Sequence, residues 1–120
     1  MKTILYLDDD HQSQKLIKYY LEKKDFRVIT CGNTNKARNL LQNNQVDAII
    51  TDIGLPGENG LEFYKWLQGN DLYKGIPVLL ISAHAFGFAE VMKEHKDNFL
   101  SKPLFFPELI KRLHQMCAGR

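Results

Sequence analysis

Five side chains able to do chemistry are spread across the chain: the acids Asp8 and Asp9, a third acid at Asp52, a hydroxyl at Ser82 and an amine at Lys102. Each closes a short apolar run. Ile4-Leu5-Tyr6-Leu7 leads into Asp8-Asp9-Asp10, Ala48-Ile49-Ile50-Thr51 into Asp52, Val78-Leu79-Leu80-Ile81 into Ser82, and Phe99-Leu100-Ser101 into Lys102. Brought together, the carboxylates would repel: one pair at about 4 Å in an effective dielectric near 20 costs about 4 kcal/mol. Such a cluster must raise its pKa values or bind a cation. All-oxygen ligation by few protein groups suits Mg2+, with Mn2+ as a substitute, because magnesium keeps waters and combines carboxylates with a phosphate oxygen. A carboxylate flanked by a hard cation, an ammonium and a hydroxyl is suited to phosphoryl transfer onto Asp52. The metal and Lys102 would stabilise the equatorial oxygens of the transition state.

These side chains share a site only if the elements carrying them converge. The run before Asp52 is β-branched and not alternating, which reads as a strand buried on both faces. Pro56-Gly57 and Asn59-Gly60 then mark a loop. Four further strands are expected at Ile4–Leu7, Phe26–Thr30, Ile76–Ile81 and Asn98–Ser101. Helical spacing of Leu16, Ile17, Tyr20 and Leu21 predicts a helix from Gln12 to about Lys24, with Asp10 as a solvated acid at its N-terminus. Asn33 or Thr34 can cap a second helix with the stripe Ala37, Leu40 and Leu41. A third is expected from near Glu58, a weaker fourth over roughly Phe88–Glu94, and a fifth opened by Pro107. Alternation of strand and helix with short connections argues for an α/β chain with a five-stranded parallel sheet and helices on both faces. All strand ends then lie on one edge, where open α/β sheets place their chemistry.

Composition bounds the rest. A chain of 120 residues, 44% hydrophobic and 25% charged, is expected to form one globular domain over residues 1–120. A net charge of +2 implies neither nucleic acid nor membrane as a partner. The N-terminal apolar run meets acid too soon to be a signal peptide, and no run approaches the roughly 18 residues that span a bilayer. Cys31 and Cys117 show neither metal-ligand spacing nor a disulfide framework, which points to a reducing cytoplasm.

Asp8-Asp9 after the first strand, Asp52 after the third, Ser82 after the fourth and Lys102-Pro103 after the fifth closely resemble the receiver domain of two-component response regulators. The resemblance includes Asp52-Ile53-Gly54-Leu55-Pro56-Gly57 with Gly60 closing the loop, and it spans essentially the whole chain. It implies a doubly wound, flavodoxin-like (βα)5 fold with strand order 2-1-3-4-5. It further implies Asp52 as phosphoryl acceptor, Asp9 and Asp52 as direct Mg2+ ligands, Asp8 acting through water, and Gly54 offering its backbone carbonyl. Ser82 and Lys102 would meet the phosphoryl group, and the Lys102-Pro103 peptide is expected to be cis. Phe99 falls where an activation-linked aromatic is common, and Gly54 and His84 where the lifetime of the phosphoryl group is tuned. For Phe99 a simple core role is the alternative, and for His84 an exposed loop position.

The implied function is a phosphorylation-controlled switch, not an enzyme acting on other molecules. Its donor would be a sensor histidine kinase or a histidine phosphotransfer protein. With no output domain after Arg120, its target would be a protein bound on the face of the last two strands and helices, near Phe86, Phe88, Phe105 and Phe106. A free-standing receiver and one cut from a larger hybrid kinase or regulator read alike. Asp8-Asp9-Asp10 also resembles the start of haloacid-dehalogenase-type phosphatases, but Gln12 stands where that family has Thr or Val. A flavin carrier would need a phosphate loop with free N–H groups where this chain has three acids.

Overall fold

The structure, a computed structural model, describes residues 1–83 and 89–118. Five strands, β1 (Lys2–Leu7), β2 (Phe26–Cys31), β3 (Ala48–Asp52), β4 (Val78–Ser82) and β5 (Phe99–Ser101), form one parallel sheet in the order β2-β1-β3-β4-β5. Helices α1 (His11–Glu22), α2 (Thr34–Asn43), α3 (Gly60–Gln68), α4 (Ala89–Glu94) and α5 (Phe106–Cys117) alternate with them. This is the expected flavodoxin-like topology.

Strand periodicity builds two cores, because successive side chains leave the sheet on opposite faces. Leu5, Leu7, Ile49, Leu80 and Phe99 pack with Ala37 and Leu41 of α2 and with Phe63 and Leu67 of α3. Ile4, Tyr6, Ala48, Ile50, Leu79, Ile81 and Leu100 pack with Ile17 and Leu21 of α1 and with Leu109 and Leu113 of α5. Every residue of β3 and β4 is buried, which is why those runs show no polar alternation.

Two helix starts differ instructively from expectation. Asp10 is the N-cap of α1, accepting the Gln12 N–H at 3.1 Å, so the helix begins at His11. The third helix begins at Gly60 and not near Glu58. Asn59 accepts the Glu62 N–H at 2.8 Å while Glu62 accepts the Asn59 N–H at 3.2 Å, a reciprocal capping box that fixes the boundary. Gly60 is also required by close approach. A Cβ there would stand 2.8 Å from the Asp52 carbonyl carbon and would collide with its oxygen. The loop after Asp52 therefore folds back hard against the strand that carries it.

Candidate functional site

Register brings the strand ends level. Leu7 pairs with Thr51, Asp52 with Ile81, and Ser82 with Ser101, so Asp8, Asp52, Ser82 and Lys102 follow one another across the sheet edge. Asp8, Asp9 and Asp52 each offer an oxygen, and the three oxygens lie within 4.8 Å of one another. Asp8 and Asp52 are buried while Asp9 is exposed. Ser82 is buried beside them at the tip of β4.

Lys102 ties the acids together. Its Nζ donates at 2.8 Å to Oδ2 of Asp8 and at 2.8 Å to Oδ2 of Asp52. Its backbone N–H donates to the Ser82 carbonyl at 2.9 Å, and the Lys102-Pro103 peptide is cis. Burial alone would push the ammonium pKa down, but hydrogen bonds to Asp52 and Asp8 outweigh it and leave the pKa raised. The second oxygen of Asp52, Oδ1, accepts the Gly54 N–H at 3.0 Å, which anchors the start of the loop.

Residues 4–114 match the family described as the response regulator receiver domain. The chain belongs to that family. It is 30% identical over 114 residues to the polar-differentiation response regulator DivK of Brucella anthropi, covering 93% of both chains. Among solved structures it superposes on the chemotaxis response regulator CheY4 of Vibrio cholerae with a TM-score of 0.83, at 26% identity, covering 97% of this chain and 98% of that one. It superposes with a TM-score of 0.87 on the receiver domain of a sensor histidine kinase from Pseudomonas aeruginosa, a structure with magnesium in its active-site cleft. That likeness, at 22% identity over 98% of both chains, is one of fold. Membership places the receiver in two-component signalling, as a switch and not a conventional enzyme, and sets aside the dehalogenase-type and flavin-carrier alternatives.

The receiver's donor set fits a divalent cation. Among the described residues three carboxylates face the one ammonium of Lys102, an excess of acid over base in a pocket of oxygen ligands that suits a divalent cation. A Cβ at Gly54 would make only ordinary contact, 3.6 Å from Asp52 Oδ1.

Phe99 is buried in the core on the α2–α3 side of the sheet and pairs with Leu80 across the strands. His84, with Phe86 and Phe88, lies outside the described residues. Phe105 is exposed, whereas Phe106 stacks on Tyr20 with ring centroids 4.0 Å apart. Both cysteines are buried and neither is in a disulfide among the described residues, and burial pushes the Cys31 thiol up to about 11. No helix among the described residues is long and apolar enough to cross a membrane.

Two features of the site escaped the sequence reading. Tyr6 donates its hydroxyl to Asp8 Oδ2 at 2.8 Å from inside the core; burial, then the Asp8 charge, hold its pKa well above the ordinary value. The available signal was position, since residues two apart on a strand share a face. Glu58 accepts from Thr34 Oγ1 at 2.5 Å and from Arg38 Nη2 at 2.9 Å, binding the loop after Asp52 to α2. Nothing local in sequence signals a pair separated by 20 positions.

Proposed function

We propose that this receiver, acting as one unit over residues 1–120, accepts a phosphoryl group onto Asp52 from the phosphohistidine of a sensor histidine kinase or a histidine phosphotransfer protein. The observation that carries the reading is the Lys102 ammonium shared between Asp8 and Asp52 inside the acid triad. An Asp52 carboxylate oxygen attacks phosphorus, the P–N bond to the donor imidazole breaks, and its electron pair returns to the imidazole nitrogen. Asp9 and Asp52, with the Gly54 carbonyl, would hold Mg2+ directly, and Asp8 would hold it through water. Bound there, Mg2+ (or Mn2+) supplies charge neutralisation at the phosphoryl oxygens.

Lys102 is already in place to pair with a phosphoryl group on Asp52, and Ser82 offers a buried hydroxyl at the neighbouring strand tip. Their movement toward the new charge would carry the switch to β4, β5 and the helices beside them, with Phe99 repacking between those strands. A protein target would read that face. Gly54 and His84 would set the lifetime of the acyl phosphate, and the setting would be the cytoplasm.

Incubation with acetyl phosphate and Mg2+, followed by intact mass, tests the reading. Wild type is expected to gain one phosphoryl mass, chelation of the metal to prevent it, and Asp52→Asn to gain none. Equal labelling of Asp52→Asn would overturn it.

A further inference from the structure

Tyr6 stands in the middle of β1 at 1% exposure, among Ile17, Ile50 and Leu109 of the core between the sheet and α1–α5. A phenylalanine would fill that space as well. The hydroxyl is therefore superfluous to the packing, and a buried hydroxyl is tolerated only when it is bonded. Its bond is to Asp8 Oδ2, the oxygen that Lys102 also occupies.

We propose that the Tyr6 hydroxyl is a positioning group for the cation of this site, acting through Asp8. The inference rests on the metal-dependent reading above. Asp8 is 1% exposed and accepts three donors: Tyr6 and Lys102 on Oδ2, and the Asp10 N–H on Oδ1 at 3.0 Å. With two donors, Oδ2 has both lone pairs engaged, so the capacity that remains on Asp8 lies on Oδ1. A carboxylate turned in this way is suited to take one hydrogen bond from an ion's hydration shell and unsuited to chelate the ion.

The three donors also differ in permanence. Tyr6 and the Asp10 N–H are fixed by the core and by the start of α1, whereas Lys102 is the group that a phosphoryl group on Asp52 would draw away. Tyr6 keeps Asp8 oriented through that exchange. A group that holds an ion through its hydration shell, as Asp8 would, is worth about 10–100-fold in metal affinity, and the loss on removing Asp8 is the upper limit on what Tyr6 contributes through it.

The test is Mg2+ titration by calorimetry on unphosphorylated wild type, Tyr6→Phe, Asp8→Asn and the double variant, with circular dichroism and melting in metal-free buffer as the check on folding. The expected result is binding weaker by more than about twofold for Tyr6→Phe, and by no more than the loss seen in Asp8→Asn. The double variant should bind no more weakly than Asp8→Asn alone, because a group acting through Asp8 has nothing to act through once its charge is gone. Binding by Tyr6→Phe within about twofold of wild type overturns the proposal. So does the same loss in the Asp8→Asn background, which would mark a packing effect. Should Tyr6→Phe not fold, Tyr6→Leu is read by the same outcomes. A wild type that binds no Mg2+ and takes no phosphoryl group removes the underlying reading as well. A wild type that does both, is weakened by Asp8→Asn and is untouched by Tyr6→Phe removes only this inference.

Discussion

The Lys102 ammonium stands 2.8 Å from Asp52 Oδ2, at the point where a divalent cation or a phosphoryl group would also compete for that carboxylate. It is the counter-charge for Asp8 as well, which is almost wholly buried. Removing one partner of such a pair leaves an uncompensated charge, at a cost of about 3 kcal/mol.

Lys102→Met should therefore melt well below wild type without metal, and saturating Mg2+ should raise its melting temperature more than that of wild type. Equal Mg2+ stabilisation of both proteins would show that the ammonium does not stand in for the cation. The pH dependence has a definite sign. The Lys102 pKa is raised on folding, with hydrogen bonds to Asp52 and Asp8 outweighing burial, so the stability that its charge contributes is complete below the ordinary value of 10.5. It is lost as pH rises through the higher folded value. The alkaline loss of stability should be shallower in Lys102→Met than in wild type.

Gly60→Ala should be costly for a different reason. The new Cβ meets backbone atoms, the Asp52 carbonyl and the Ile53 Cα at 3.0 Å, which cannot rotate away as a side chain would. A loss of about 2–3 kcal/mol is expected, as a lower urea midpoint with an unchanged slope. Acceptance of phosphate from acetyl phosphate should fall with it, because the displaced atoms belong to Asp52, the proposed acceptor. A midpoint equal to that of wild type would mean that the loop has room to retreat.

How much of this could be read beforehand depends on whether the cause was local. The strands were legible because β3 and β4 are buried throughout, so they show no polar alternation before Asp52 and Ser82. Asp8, Asp52, Ser82 and Lys102 were legible as candidates because each stands at the end of a strand. The start of α3 was misplaced because Glu58 looks like a first-turn acid, when its carboxylate belongs to Arg38 and Thr34 on another helix. The Asn59-x-x-Glu62 spacing that sets the boundary was present in the sequence and carried the correct answer. Tyr6 was hidden differently. Inside an apolar strand a tyrosine reads as a ring, and only its partner two residues on gives the hydroxyl a purpose.

The clamp between α2 and the Asp52 loop yields the last prediction. Arg38 meets Glu58 with both nitrogens, Nη1 to Oε1 at 2.8 Å and Nη2 to Oε2 at 2.9 Å, while its guanidinium lies 4.4 Å from the centroid of the Trp66 ring. Both side chains are about a quarter to a third exposed, so solvent screens the pair and the coupling should be modest. A double-mutant cycle of Arg38→Met and Glu58→Gln should return about 1 kcal/mol near neutral pH. The Arg38 hydrogen bond holds the Glu58 carboxyl below its ordinary value of 4.5, so its contribution is present above that pH and lost as pH falls through the folded value. Repeated near pH 3, the cycle should return a smaller coupling as the carboxylate begins to protonate. Trp66 is the chain's single tryptophan, so its emission reports the guanidinium stacked on it. Arg38→Met should change that emission more than Glu58→Gln does. A coupling that stays constant across the pH range would mean that the ion pair contributes nothing to holding the loop.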